Sequence, residues 1–210
     1  MSIFDPLKRV ERLKKARPGR EADAELENRI PPGQYETKKF PVLTYGDTQH
    51  IKPEEWKMHI FGLVENPLTL SWQELLALPA VSIRRDIHCV TRWSMLDSHW
   101  EGVLFSELVK KVRPAPEARF VMQHSYGGYT TNLPLEDLLT EDVIIAYQYE
   151  GKPLDPDHGG PVRMVAPQLY FWKSAKWLKG LEFMAEDRPG FWEQYGYHMH
   201  GDPWSEERFG

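Results

Sequence analysis

Cys89 is the sole cysteine of the chain, in Asp86-Ile87-His88-Cys89-Val90-Thr91-Arg92-Trp93-Ser94. One thiol makes no internal disulfide, and one thiolate is too few for a zinc or iron–sulfur site. Three chemistries remain: a nucleophile, a single soft ligand to a metal whose other ligands come from a cofactor, or an inert core side chain. A second group lies in His158-Gly159-Gly160-Pro161-Val162-Arg163, followed by Ser174-Ala175-Lys176-Trp177. Paired glycines let backbone approach a ligand closely and present N–H groups as an anion nest. Arg163 offers a planar fork to a phosphate, Lys176 a point charge and Ser174 a hydroxyl donor. The set reads as a receptor for a phosphorylated or otherwise anionic ligand, although turn glycines beside surface cations give a similar string.

The elements that must hold these groups read as a mixed chain. Of 210 residues, 41% are hydrophobic and 27% charged, and eight Trp, nine Tyr and nine Phe supply core faces without a disulfide. A net charge of −5 argues against a nucleic-acid partner. No apolar run of about 7–15 residues leads to a small-residue cleavage site near the N-terminus. No stretch reaches the ~20 apolar residues of a membrane span. The expectation is a soluble, cytoplasmic protein with no transmembrane segment.

Residues 1–39 read as a charged N-terminal arm, basic from Lys8 to Arg20 and acidic from Glu21 to Glu27, with Phe4, Leu7, Val10 and Leu13 as a thin apolar stripe. Pro31-Pro32-Gly33 breaks the chain. Residues 40–185 read as one domain, and 186–210 as an aromatic C-terminal wrap. Strands are expected over 56–61, 81–90, 120–124, 143–149 and 162–165, and short helices over 105–112 and 135–139. Ser71-x-x-Glu74 is a capping box for a further helix, and Tyr126-Gly127-Gly128-Tyr129 reads as a hairpin. Strands and helices alternate without a βαβ rhythm, so the fold class is α+β, with mixed β-sheets and short helices.

His-Cys-Val-Thr-x-Trp-Ser, then Ala-Tyr, then His-Gly-Gly-Pro-Val-Arg and Lys-Ser-Ala-Lys-Trp-Leu together resemble the molybdopterin-binding domain of the sulfite oxidase family. The resemblance runs from about Phe40 to Phe183 and is greatest to small prokaryotic members made of this domain alone. It implies a molybdenum-molybdopterin (Mo-MPT) cofactor, with Cys89 as the thiolate ligand to the metal. His158, Arg163, Ser174, Ala175 and Lys176 would hold the pterin and its phosphate. Phe40, Pro41 and Val42 would cover it through main-chain contacts, and His124 would be a further polar contact. Tyr147, the tyrosine of the Ala-Tyr pair, would assist with a proton or oxygen at the metal.

One departure bears on substrate. The family's sulfite-binding arginine pair is replaced by Trp93 and Ser94, and Arg92, one residue early, is the cation left to attract an anion. Trp-Ser after the cysteine resembles a branch of reductases acting on S- and N-oxides. The implied activity is oxygen-atom transfer to or from a sulfite-like oxyanion, S-oxide or N-oxide. With no haem motif and no second cysteine, electrons would pass through a separate partner. Two other readings stand beside this one: a metal-free cysteine hydrolase using His88, His124 or His158 as base, and a scaffold domain that lost the cofactor. The His198-Met199-His200 pair lacks a third ligand at a recognisable spacing and reads as structural.

Overall fold

Alternation of buried Met58 and Ile60 with exposed neighbours produces the strand Lys57–Gly62, half buried as a sheet face requires. The structure, a computed structural model, describes residues 29–210; the apolar stripe and charge reversal of the N-terminal arm lie outside them. The strands are β1 (Tyr35–Glu36), β2 (Lys57–Gly62), β3 (Leu68–Ser71), β4 (Ala80–His88), β5 (Trp93–Leu104) and β6 (Phe120–Ser125). They continue with β7 (Thr130–Pro134), β8 (Ile144–Tyr149), β9 (Lys152–Pro153), β10 (Arg163–Val165) and β11 (Leu178–Met184). The helices are α1 (Trp72–Leu76), α2 (Phe105–Val112) and α3 (Leu135–Leu138).

One sheet runs β3-β2-β11-β6-β7, antiparallel except for β2 with β11. The other is organised by β5. Along one edge it pairs with β4; along the other it meets β1 at Trp93 and Ser94, then β8 from Trp100 to Leu104. β10 and β9 extend the sheet from β8. This is the α+β arrangement of mixed sheets with short helices that the sequence suggests. β5 was not expected as a strand: Trp-Ser-Met-Leu-Asp-Ser-His-Trp-Glu-Gly-Val-Leu has no clean alternation, and an irregularity at Glu101/Gly102 shifts its register.

Ser71 accepts from the Glu74 backbone N–H, and Glu74 accepts from the Ser71 N–H at 2.8 Å, forming the capping box of α1. α2 buries Phe105, Leu108 and Val112, one helical face. Two cores result, one on each face of the β5–β8 sheet. Val103, Ile145 and Tyr147 join Phe105, Leu181 and Phe183 against the other sheet. Trp100, Ile144 and Ala146 join Cys89, Trp93, Trp172, Trp192 and Tyr197 on the opposite side. Among the described residues, no helix is long and apolar enough to cross a membrane.

The C-terminal segment is fastened by a buried ion pair, Lys173 Nζ to Glu193 at 2.6 Å, both side chains fully enclosed. Lys173 also donates to Asn132, and Glu193 accepts from Trp172 Nε1 at 2.9 Å and Thr131 Oγ1 at 3.1 Å. Removing either charge would strand the other in the core, a loss of about 3–5 kcal/mol. The pair ties the loop that bears Ser174 and Lys176 to the segment that bears Trp192 and Tyr197. His200 is a second fastening, bonded to Asp137 at 3.0 Å and Glu207 at 2.9 Å. Its neighbour His198 accepts the His200 and Gly201 N–H groups, so the histidine pair is structural. No metal-ligating group of three or more His, Cys, Asp or Glu occurs among the described residues.

Candidate active site

The β4–β5 hairpin ends in a tight turn that places Cys89 at its tip. Arg92 N–H donates to Cys89 O and Cys89 N–H to Trp93 O, both at 2.9 Å, with Arg92 in the left-handed region at φ 73°. Thr91 Oγ1 directs a hydroxyl at the sulfur from 3.2 Å. Cys89 faces a cleft of about 820 Å³, a figure that includes the open solvent at its mouth.

The opposite wall comes from the Gly-Gly loop and β10. Gly159 has φ 103°, and a Cβ on it would lie 2.8 Å from Lys176 Cβ; one on Gly160 would lie 2.1 Å from Leu154 O. The glycines therefore admit the chain's own Lys176 and Leu154, rather than clearing room for a ligand. His158 Nδ1 meets Asp155 at 2.8 Å and Nε2 meets Phe40 O at 3.2 Å, while its ring stacks on Phe40 at 4.0 Å. Arg163 is 2% exposed and donates to three main-chain carbonyls, His158 O, Ser174 O and Met164 O. Its guanidinium lies 4.2 Å from the Phe171 ring centroid. Lys176 Nζ donates to Thr44 Oγ1 at 2.7 Å and Asp157 O at 2.6 Å. Ser174 Oγ accepts from Ala166 N–H, leaving its own hydrogen to donate.

Neither Arg163 nor Lys176 has a carboxylate within ion-pair distance among the described residues. Burial lowers Arg163 to about 9. Burial, and then repulsion from Arg163, lowers Lys176 to about 7. Two cations confined in one cleft without a counterion favour an anionic occupant. Trp93 Nε1 and Ser125 Oγ are also buried in the lining without a hydrogen-bond partner, and buried polar groups are normally paired. One soft sulfur, uncompensated positive charge and orphaned polar atoms fit a metal–dithiolene group bearing a phosphate.

Of the residues singled out from sequence, the structure brings Cys89, Phe40, Pro41, His158, Arg163, Ser174 and Lys176 to this cleft. Ala175 lies behind it, fully buried, its N–H on Gln123 Oε1, and Val42 turns outward with 49% exposure. Arg92 points away: its Nη1 lies beside Gly33, near Glu206 and Arg208. His124 is on the outer face of the other sheet, bonded to Glu182 at 3.0 Å. Tyr147 does not line the cleft. It alternates with Ala146 along β8, so its ring packs edge-on to Trp72 in the other core and its hydroxyl donates to Glu101 at 3.3 Å.

The phenols that do line the cleft are Tyr45, Tyr129 and Tyr197. Tyr129 donates to Trp172 O at 2.6 Å, and burial raises it well above the ordinary phenol range. Tyr197 packs on Trp172 and Trp192. The stretch that contains it carries no periodicity to mark it; the signal available was its run of aromatics. His88 is buried, bonded to Ser94 Oγ at 2.9 Å and lowered to about 4 by burial. It does not line the cleft, so it is no base for Cys89.

Residues 45–192 match the family described as oxidoreductase molybdopterin binding domain. The chain is 46% identical over 192 residues to oxidoreductase YuiH of Bacillus subtilis, covering 91% of this chain and 97% of that one. It is 31% identical to the protein-methionine-sulfoxide reductase catalytic subunit MsrP of Campylobacter jejuni, covering 73% of this chain and 57% of that one. The sulfane dehydrogenase SoxCD of Paracoccus pantotrophus shares the fold, with TM-score 0.61 at 18% identity, covering 88% of this chain and 60% of that one. The Campylobacter and Paracoccus proteins thus extend well beyond this chain. The match, the fold and the chemistry of the cleft agree: the chain belongs to the molybdopterin-binding oxidoreductases of the sulfite oxidase family.

Proposed function

We propose that this enzyme removes the oxygen atom from a small, uncharged S-oxide, with Cys89 as the protein's ligand to the molybdenum of molybdopterin. The observation that carries this reading is the composition of the Cys89 cleft. Its cations, Arg163 and Lys176, stand where an anionic cofactor would consume their charge, and the rest of its wall is largely aromatic. Arg92, the cation expected to draw an oxyanion, is turned away, and Trp93 occupies the wall beside Cys89. A wall with no spare cation suits a neutral sulfoxide better than sulfite. The named activity of the Campylobacter relative, methionine-sulfoxide reduction, points the same way.

The bound group supplies a two-electron redox couple and the site at which oxygen is exchanged. The chain's own residues do the rest. Cys89 provides the soft thiolate. Arg163, Lys176, Ser174 and His158 hold and neutralise the anionic end. The aromatic rings exclude water, and Tyr197, a phenol of the cleft wall, delivers a proton. The net reaction is sulfoxide plus two electrons and two protons giving sulfide and water, with the electrons brought by a separate donor.

The test is Cys89→Ser, produced in a host that makes the pterin and assayed for bound molybdenum. Metal content should fall about tenfold or more, because a hydroxyl is a poor soft ligand; full occupancy would remove Cys89 from the coordination sphere. For the substrate, loaded native enzyme with an artificial reductant should reduce a dialkyl sulfoxide and leave sulfite unoxidised. The opposite pattern would overturn the choice of substrate.

A further inference from the structure

Gly180 stands in the interior of β11, paired on one side with His59 of β2 and on the other with His124 of β6. Glycine weakens a strand interior, and where it occurs there a close backbone approach usually explains it. Neither a special backbone angle nor crowding explains this one. Its φ is not in the left-handed region, and a Cβ would meet His59 O, His124 Cβ and the Phe61 ring only at ordinary distances of 3.4–3.6 Å. What the missing side chain leaves is space, the floor of a groove of about 660 Å³, including its open side, on the outer face of the sheet.

The chemistry of that groove is distinctive. Phe61, 39% exposed, and the His124 ring lie 5.7 Å apart and 35° from parallel, forming a π surface beside the gap. Lys179, whose Nζ lies 5.6 Å from the Tyr126 ring centroid, and His59 complete its polar rim, and among the described residues no carboxylate lines it. Glu182, just outside, is already engaged by His124 and Arg188. Ser125 and Tyr129 line both this groove and the Cys89 cleft, so one layer of side chains separates the two.

We infer that the groove over Gly180 docks a planar, anionic two-electron carrier of the flavin mononucleotide class, which feeds the cofactor through the Ser125–Tyr129 wall. The π surface takes the ring system, and Lys179 with His59 takes the anion. This rests on the proposed reductase function. The dihydroflavin gives up two electrons and two protons and becomes oxidised flavin; the substrate's S–O bond breaks, and its oxygen leaves as water.

The experiment uses the molybdenum-loaded full chain and flavin mononucleotide. Binding is followed by flavin fluorescence, and turnover of a dialkyl sulfoxide is driven by the chemically reduced flavin. Native protein should bind the flavin and turn over with it. Gly180→Val, which fills the groove floor, should weaken binding about tenfold or more and slow flavin-driven turnover in step. Lys179→Glu, at an exposed position, should also weaken binding. No binding by native protein up to about 1 mM, or native-like binding by both variants, overturns the inference. So does tight flavin binding that drives no turnover in enzyme that an artificial reductant does drive. Failure of the artificial reductant itself, or absence of molybdenum, would instead strike the proposed function.

Discussion

Lys176 should make the cofactor-free protein less stable, and removing its charge should reveal that. The side chain is mostly buried beside Arg163 with no carboxylate at ion-pair distance among the described residues, and burial lowers it from an ordinary 10.5 to about 7. At about 1.36 kcal/mol for each pH unit, that gap corresponds to about 5 kcal/mol of unfavourable free energy when the amine is charged. The side chain is partly open to water and Nζ keeps bonds to Thr44 and Asp157, so about 2 kcal/mol is the realistic share. Lys176→Met in cofactor-free protein at pH 6 should therefore raise Tm by about 4–8 °C for a chain of this size. The sign with pH follows from proton uptake. Between about 7 and 10.5 the unfolded chain binds the proton that the folded chain has released, so native stability rises across that window. The advantage of Lys176→Met should be largest below pH 7 and shrink toward pH 10.5. In cells that make the pterin, the same variant should carry less molybdenum, since a cation for the anionic group is gone. A cofactor-free Lys176→Met that is less stable than native at pH 6, or a gap that ignores pH, would refute the view of Lys176 as an uncompensated buried charge.

Tyr197→Phe should retain molybdenum but lower kcat for sulfoxide about tenfold or more, whereas Tyr147→Phe should leave kcat within about twofold; equal losses in both would return Tyr147 to the chemistry. His200 is raised from 6.5 to about 9, chiefly by its hydrogen bond to Asp137. Its contribution to stability is thus fully present below pH 6.5 and lost as pH rises through about 9. Because its side chain is 39% exposed, about 1 kcal/mol is expected rather than the full value of the shift. Chemical denaturation of native and His200→Gln protein at pH 6 and pH 10 should show a gap at the lower pH that closes at the higher.

Local patterns made much of the fold legible. The capping box at Ser71 and Glu74, the helix from Phe105 and the alternating strand before Gly62 formed as local rules require. β5 escaped because a strand that serves two partners along one edge, with a register shift at Glu101/Gly102, loses the period that marks simpler strands. The site divided in the same way. Residue type marked Cys89 and the His158, Arg163, Ser174 and Lys176 set as candidate chemistry, the family resemblance gave them the roles of soft ligand and anion holders, and the structure brings them to one cleft. Which side chains meet was beyond that reading. The family resemblance assigns Tyr147 to the metal site, but strand alternation turns it to the other core, while Ala146 faces the Cys89 side. Arg92 was read as a substrate cation, but the left-handed turn after Cys89 sends it outward. Tyr197 reaches the cleft because a buried ion pair and His200 fasten the C-terminal segment across it. The sequence determined which chemistry the chain can hold, because that depends on functional groups. Direction and proximity were decided only by tertiary structure, because they depend on strand facing, turn handedness and long-range fastenings.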